Sequence, residues 1–206
     1  MRTTITFLAA LSAALLVAAT ASSAAPQSVT ISLSRPTVVF GGSVTLAGNV
    51  SNNKVGEKVD VLGELFGESS FTKLASVDTT SGGHWTDVAK PTIQTAYEAK
   101  WKSATSPTVT VKVRPLITLT LVSLSTGTFS AKATAARSFA GKFVLVQRLT
   151  STGVATVKKV TLDASSSATF KVRLHHGRNR LRVVMPTSQT APGYITGMSK
   201  VLTVTK

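Results

Sequence analysis

Residues 170 to 186 read FKVRLHHGRNRLRVVMP, with Lys171, Arg173, Arg178, Arg180 and Arg182, two histidines and no acid. Side chains of a strand alternate between its two faces, so cations at every second position share one face. Phe170, Val172 and Leu174, then Leu181 and Val183, take the alternate places. The pattern predicts a hairpin with an apolar inner half, Lys171 and Arg173 facing out beside Arg180 and Arg182. Like charges on neighbouring strands destabilise their pair, and an anionic partner would offset that cost. Arg148, Lys158 and Lys159 extend the candidate surface. The chemistry is electrostatic capture of a polyanion, whether an acidic cell-envelope polymer, a nucleic acid or an anionic membrane surface. The competing reading is a solvated edge whose charges discourage aggregation.

Other chemistry is thinly supplied. His84, His175 and His176 are the only histidines, and the basic crowd beside the last two repels a metal ion. Paired-carboxylate hydrolysis needs two converging acids. In the second half only Asp163 is acidic, so a carbohydrate- or peptidoglycan-directed accessory protein or weak hydrolase would have to use Asp60, Glu64 or Asp78 of the first half. Asp78 and Asp87 flank the SGGHW turn too sparsely for a calcium site. No nucleophile elbow, phosphate-binding loop or dinucleotide fingerprint occurs. Base-reading is disfavoured because Phe129, Phe139, Phe143 and Phe170 occupy strand positions, leaving few rings for stacking. The loop TSQTAPGYITGMS at 187 to 199 offers Tyr194 on a Pro-Gly turn, either as a ligand platform or folded back over the core end. The expectation is a non-catalytic protein without cofactor or metal.

Charge is distributed unevenly along the chain. Residues 26 to 113 hold eight Lys and Arg against seven Asp and Glu, whereas residues 114 to 206 hold fourteen against one, a net of +13 within the total of +15. There is no cysteine, so each domain must stand on its apolar core without disulfides. The first 25 residues carry Arg2, an apolar run from Phe7 to about Ala19 and then small residues. That order predicts a secretory signal peptide cleaved after Ala21, Ala24 or Ala25, and hence a secreted, extracellular chain with no transmembrane anchor after cleavage. A monomer is expected.

Strands must position the basic residues, and they occur in two sets. Ile31 and Leu33 match Ile117 and Leu119, 86 residues on. Gly42, Val44 and Leu46 match Gly127, Phe129 and Ala131 at a spacing of 85, as Gly56, Val59 and Val61 match Gly141, Val144 and Val146. The same spacing relates Lys73, Val77 and Asp78 to Lys158, Leu162 and Asp163, and Trp85 to Phe170. Period-two alternation recurs through Tyr97, Ala99 and Trp101, then Val109, Val111 and Val113. Turn residues separate the runs, and no segment after residue 25 has a helical period. The expected organisation is a signal peptide over 1–25, a first β-sandwich over 26–113 and a basic second one over 114–206, joined stiffly at Arg114-Pro115.

The segments GGSVTLAGNV, GEKVDVL, TTSGGHW, TAYEAKW and SPTVTVKV together resemble the secreted bacterial immunoglobulin-like domains that occur in tandem. The resemblance covers roughly residues 28 to 206 and implies an all-β fold of two immunoglobulin-like sandwiches. It implies that Tyr97 is the penultimate-strand tyrosine whose hydroxyl ties a corner to the backbone. Ala99 stands where an antibody domain has a cysteine, and Leu181 replaces the tyrosine in the second copy. Members serve as spacers, adhesive stalks and carbohydrate-binding accessories, and a structural or interaction role is what the resemblance implies here.

Overall fold

The computed structural model describes residues 26–206, so the leader predicted over 1–25 lies outside the described residues. The first half forms β1 (Ser32–Leu33), β2 (Thr37–Val39), β3 (Val44–Asn49), β4 (Lys58–Leu65), β5 (Thr72–Asp78), β6 (His84–Ala89), β7 (Thr95–Trp101), β8 (Ala104–Thr105) and β9 (Val109–Arg114). One sheet has the order β1-β3-β6 and the other β2-β9-β7-β4-β5, with β8 against β7. The second half forms β10 (Leu116–Ser123), β11 (Thr128–Thr134), β12 (Phe143–Thr150), β13 (Gly153–Thr161), β14 (Ser167–Lys171), β15 (Arg178–Met185), β16 (Gly197–Met198) and β17 (Leu202–Thr205). Its sheets run β10-β11-β14 and β13-β12-β15-β16, with β17 against β15. Among the described residues no strand of one half pairs with a strand of the other. The chain is all-β, two immunoglobulin-like sandwiches in tandem.

Burial follows the alternation. Val59 and Val61 of β4, Ala99 of β7 and Val111 and Val113 of β9 are fully buried, as are Val144 and Val146 of β12 and Leu181 and Val183 of β15. Each buried Val or Leu stabilises its sandwich by roughly 1.5–3 kcal/mol, which replaces disulfide stapling. Phe129 and Phe170 stack across β11 and β14, their centroids 6.3 Å apart. Gly48 lies opposite Trp85, and a Cβ there would meet the Thr30 carbonyl at 1.8 Å and Trp85 Nε1 at 2.8 Å. Only glycine lets β3 pass beneath the indole. Tyr97 is buried, and among the described residues its hydroxyl makes no hydrogen bond to a backbone corner.

Register sharpens the repeat. The β4-β5 ladder slips between Val61 and Leu62, and the β12-β13 ladder slips between Val146 and Gln147, 85 residues later in each case. Leu33 faces Leu46 as Leu119 faces Ala131. Four proposed matches fail, among them Lys73 and Val77, which correspond by register to Thr156 and Val160 and not to Lys158 and Leu162. Phe170 pairs with Phe129, the counterpart of Val44, whose own partner is Ala89; Phe170 therefore corresponds to Ala89 and not to Trp85. Likewise Lys58 pairs with Asp78 while Phe143 pairs with Thr161, so Asp78 corresponds to Thr161 and not Asp163.

The junction is as short as expected, with Pro115 alone between β9 and β10. The long loop after β15 contains a turn of helix, α1 (Thr187–Thr190), where none was expected. Pro186 caps it, and the loop beyond returns to the first sandwich. The Gln94 N–H donates to the Gly193 carbonyl at 3.0 Å and the Ile195 N–H to the Val113 carbonyl at 3.0 Å. Arg114 donates to the Thr196 carbonyl at 2.6 Å.

Candidate functional site: a basic groove at one edge of the second sandwich

The segment 170 to 186 is not a hairpin. β14 pairs with β11 and β15 pairs with β12, so residues 172 to 177 cross from one sheet to the other. Lys171 and Arg173 consequently do not flank Arg180 and Arg182 across a ladder. Lys171 and Arg173 lie instead at the open edge of the sandwich, where β13 borders one sheet and β14 the other.

Arg148 joins the two sides. It lies opposite Leu181 in the β12-β15 ladder, on the core face, and its stem follows apolar surface until the guanidinium emerges. One terminal nitrogen donates to the Arg173 carbonyl at 2.5 Å. The other contacts Nε2 of His175. A guanidinium has no acceptor, so His175 accepts at Nε2 and carries its proton on Nδ1. Nε of Arg148 is shut away from solvent without a partner. Leaving a buried donor unpaired opposes folding by roughly 1–3 kcal/mol, so the core would be better served by an apolar residue here.

Two hollows meet at this pair. One, of about 440 Å³, is lined by Arg148, Thr150, His175, Arg178, Asn179 and Arg180. The other, of about 450 Å³, is lined by Arg148, Lys158, Lys171, Arg173 and His175. Asn179, lining the first hollow, holds the crossing segment in place, its amide oxygen accepting from the His175 N–H at 3.0 Å and its nitrogen donating to the His175 carbonyl at 2.8 Å. Lys158 donates to the Lys171 carbonyl at 3.2 Å, holding β13 to β14.

Six of the eight predicted cations line the two hollows: Arg148, Lys158, Lys171 and Arg173 the second, and Arg178 and Arg180, from the outer face of β15, the first, which Arg148 also lines. The other two do not. Lys159 points to the opposite face of β13, 4.0 Å from the Phe143 ring centroid. Arg182 is on the outer face of its sheet, its Nε donating to Gln147 at 2.8 Å. Tyr194 is removed as a ligand platform: it is 3% exposed, its hydroxyl donates to the Thr92 carbonyl at 2.7 Å and accepts from the Ala136 N–H at 3.2 Å. Sequence reasoning missed Asn179 and gave Arg148 a minor part, although Arg148 continues the inward alternation of Val144 and Val146; the bulge beside it lies in β13, where Val157 is the extra residue.

No carboxylate neutralises the groove. Ion pairs among the described residues all lie in the first sandwich: Lys58 with Asp78 at 3.0 Å, Lys73 with Asp60 at 2.7 Å and Lys102 with Glu57 at 3.2 Å. Asp163 spends its oxygen on the Ser165 hydroxyl and the Ser165 and Ser167 N–H groups. Asp60 and Asp78 each bind a lysine, and Asp60 and Glu64 are four residues apart on one strand, roughly 13 Å. Asp78 and Asp87 lie in different sheets. No cluster of three metal-ligating side chains occurs among the described residues.

No protein-family model and no curated protein matches the chain. Among solved structures it is similar to the tetra-tandem repeat in the extending region of a large adhesion protein, at 12% identity and a TM-score of 0.36, over 87% of this chain and 49% of that one. The chain thus spans about half the length of that structure. Escherichia coli alpha-2-macroglobulin, spanning domains NIE-MG1, is similar at 10% identity and a TM-score of 0.30, over 84% of this chain and 95% of that one. Neither likeness is close enough to say what this chain does. No helix among the described residues is long and apolar enough to cross a membrane.

Proposed function

We propose that the protein is a non-catalytic interaction module that acts outside the cell and holds a linear polyanion, such as an acidic cell-envelope polymer, in the groove of its second sandwich. The observation that carries this reading is that two adjoining hollows sharing Arg148 are lined by six cations and no carboxylate. Such a groove focuses positive potential, raises the local concentration of anions and gives affinity without base or sugar specificity. The first sandwich, with its charges balanced, serves as the spacer.

Salt dependence tests the reading. Retention of the purified protein on phosphocellulose should fall steeply as salt rises, with a log-log slope of about 0.7 per neutralised phosphate, as for single strands. The triple variant Arg173→Glu, Arg178→Glu, Arg180→Glu should elute near the salt at which a neutral protein does. Unchanged retention of that variant would place the binding elsewhere.

A further inference from the structure

We propose that β10 is an association surface: its open edge pairs with the same edge of a second copy, antiparallel about a two-fold axis through Leu119, to make a dimer of the chain.

The edge is open because the two sandwiches treat their first strand differently. In the first, β1 is two residues long, Arg35 and Pro36 follow it, and β2 crosses to lie parallel to β9, where Val38 is buried. The corresponding stretch of the second copy has neither proline nor charge, and β10 runs straight on as LITLTLVS. It pairs with β11 on one side only. Natural sheets blunt edges of this kind, because free N–H and C=O groups on a long, uncharged, proline-free strand template another strand.

The ladder shows which groups are free. The Ala133 N–H donates to the Ser166 carbonyl at 2.9 Å, on the β14 side, and Ala133 lies opposite Ile117. Backbone groups alternate in direction along a strand, so Leu116, Thr118 and Thr120 bond to β11 while Ile117, Leu119 and Leu121 present theirs to the open side. No backbone group among the described residues takes them there. The same three side chains face the core, and their cover fails along the strand: Ile117 is 3% exposed, Leu119 half-buried and Leu121 37% exposed. A hollow of about 370 Å³ runs beside them, lined by Leu116, Ile117, Thr118, Leu119, Thr120 and Lys200. An added strand would satisfy the main chain and cover Leu119 and Leu121 together.

The occupant is β10 of a second copy. Every other edge the described residues offer is short or charged: β1, β2, β8, β16 and β17 have two to four residues, and β5, β6, β13 and β14 carry Lys73, Asp87, Lys158 and Lys171 among others. An axis at Leu119 sets Ile117 against the partner's Leu121 and Thr118 against the partner's Thr120, so free groups meet free groups and inward side chains stay inward. The contact is isologous and closes on itself. Charge agrees with it. β14, which borders the basic hollows, is the far edge of the same sheet. In the six-stranded sheet of the dimer the two β14 strands stand about 24 Å apart, well beyond the screening length of roughly 8 Å at physiological ionic strength.

Sedimentation velocity of the intact chain tests this. The mass should rise from one chain toward two with concentration, and added salt should not weaken the association. Leu121→Pro removes an N–H that its own sheet does not use, so the fold should survive while dimerisation weakens roughly tenfold or more for two lost hydrogen bonds. Two double variants read the register. Thr118→Lys with Thr120→Lys sets like charges across the axis and should abolish the dimer, whereas Thr118→Lys with Thr120→Glu sets opposite charges there and should keep it. Circular dichroism accompanies each variant, and if Leu121→Pro fails to fold, the double variants decide. A chain that stays monomeric at every concentration overturns the proposal, as does a dimer unaffected in the folded variants or lost equally in both double variants. Growth beyond two chains overturns the closed pair in favour of open-ended stacking. None of these residues lines the basic hollows, so the polyanion reading stands or falls separately.

Discussion

Two side chains of the second sandwich show how a position can be given away by the core for another purpose. In the first copy Gly63 of β4 faces Tyr97 of β7; at the same ladder position of the second, Arg148 faces Leu181. Large and small have changed sides, and the polar head has moved from a buried phenol to a guanidinium at the rim. Asp163 is the counter-example, the sole acid of the second half and committed wholly to structure. The Ser165 hydroxyl first, and the Ser167 and Ser165 N–H groups with it, hold its carboxyl below the usual carboxylate range. A carboxyl whose value is lowered on folding adds stability above its unfolded value, and that stability is lost as pH falls through the folded one. Asp163→Ala should therefore melt at a lower temperature than the parent at pH 7, and the gap should close as pH falls below about 4, the ordinary value of an aspartate. A gap that stays constant into acid would mean the loop is held by something other than the carboxylate.

At the scale of strands, the faces were legible in the sequence and the ladders were not. Alternation identifies Val144, Val146, Leu181 and Val183 as inward, and they are buried. Matching by sequence misplaced β14 by four residues and β13 by two. Even slips leave every side chain on its own face, so period-two reasoning cannot detect them. The hairpin expected over 170 to 186 failed for a related reason: a strand pattern records burial, not which sheet the strand joins. One feature that register exposes is a pair of buried serines. Ser106 accepts from the Ala99 N–H at 2.9 Å and donates to the Pro107 carbonyl at 3.1 Å; Ser199 accepts from the Val183 N–H at 2.9 Å and donates to the Lys200 carbonyl at 2.8 Å. Each bridges the irregular step where the last strand of its sandwich leaves its neighbour and rejoins it. The loop of 187 to 199 hides the match SPTVTVKV with SKVLTVTK in the sequence. Ser106→Ala and Ser199→Ala should each cost about 1–3 kcal/mol in denaturant unfolding, because each leaves a buried N–H unpaired. Being far apart, they should add within about 0.5 kcal/mol. Strong non-additivity would show that the two serines share a structural unit. Register also locates the charge change: Glu57, Asp60, Glu64, Asp78 and Glu98 correspond to Lys142, Leu145, Leu149, Thr161 and Arg182, and losing acids accounts for as much of the second copy's basic charge as gaining bases.

For the whole molecule the joint decides how the groove is presented. A one-residue connection restricts orientation, but it is the loop beyond α1 that locks it. Tyr194 packs edge-on against Phe139 at 5.9 Å in its own sandwich and donates its hydroxyl to Thr92 of the other. Arg137 covers that ring at 5.4 Å and donates to the Ala191 carbonyl at 2.9 Å. Gly193, at φ 81°, approaches Ile93 so closely that a Cβ would lie 2.6 Å from its Cδ1. The Gln94–Gly193 and Ile195–Val113 backbone bonds, the Tyr194 phenol and the Arg114 guanidinium thus tie the two halves at several points, and loosening them should free the sandwiches without unfolding either. Gly193→Val adds both a clash and an unfavourable φ, while Tyr194→Phe removes only the hydroxyl and its two hydrogen bonds. In small-angle scattering the parent should fit a single conformation, Tyr194→Phe should deviate slightly, and Gly193→Val should require a broad ensemble of interdomain angles. Circular dichroism should be unchanged in both. If Gly193→Val still fits one rigid shape, Pro115 and the Arg114–Thr196 bond suffice to hold the joint, and the loop of 187 to 199 serves the core of the second sandwich alone.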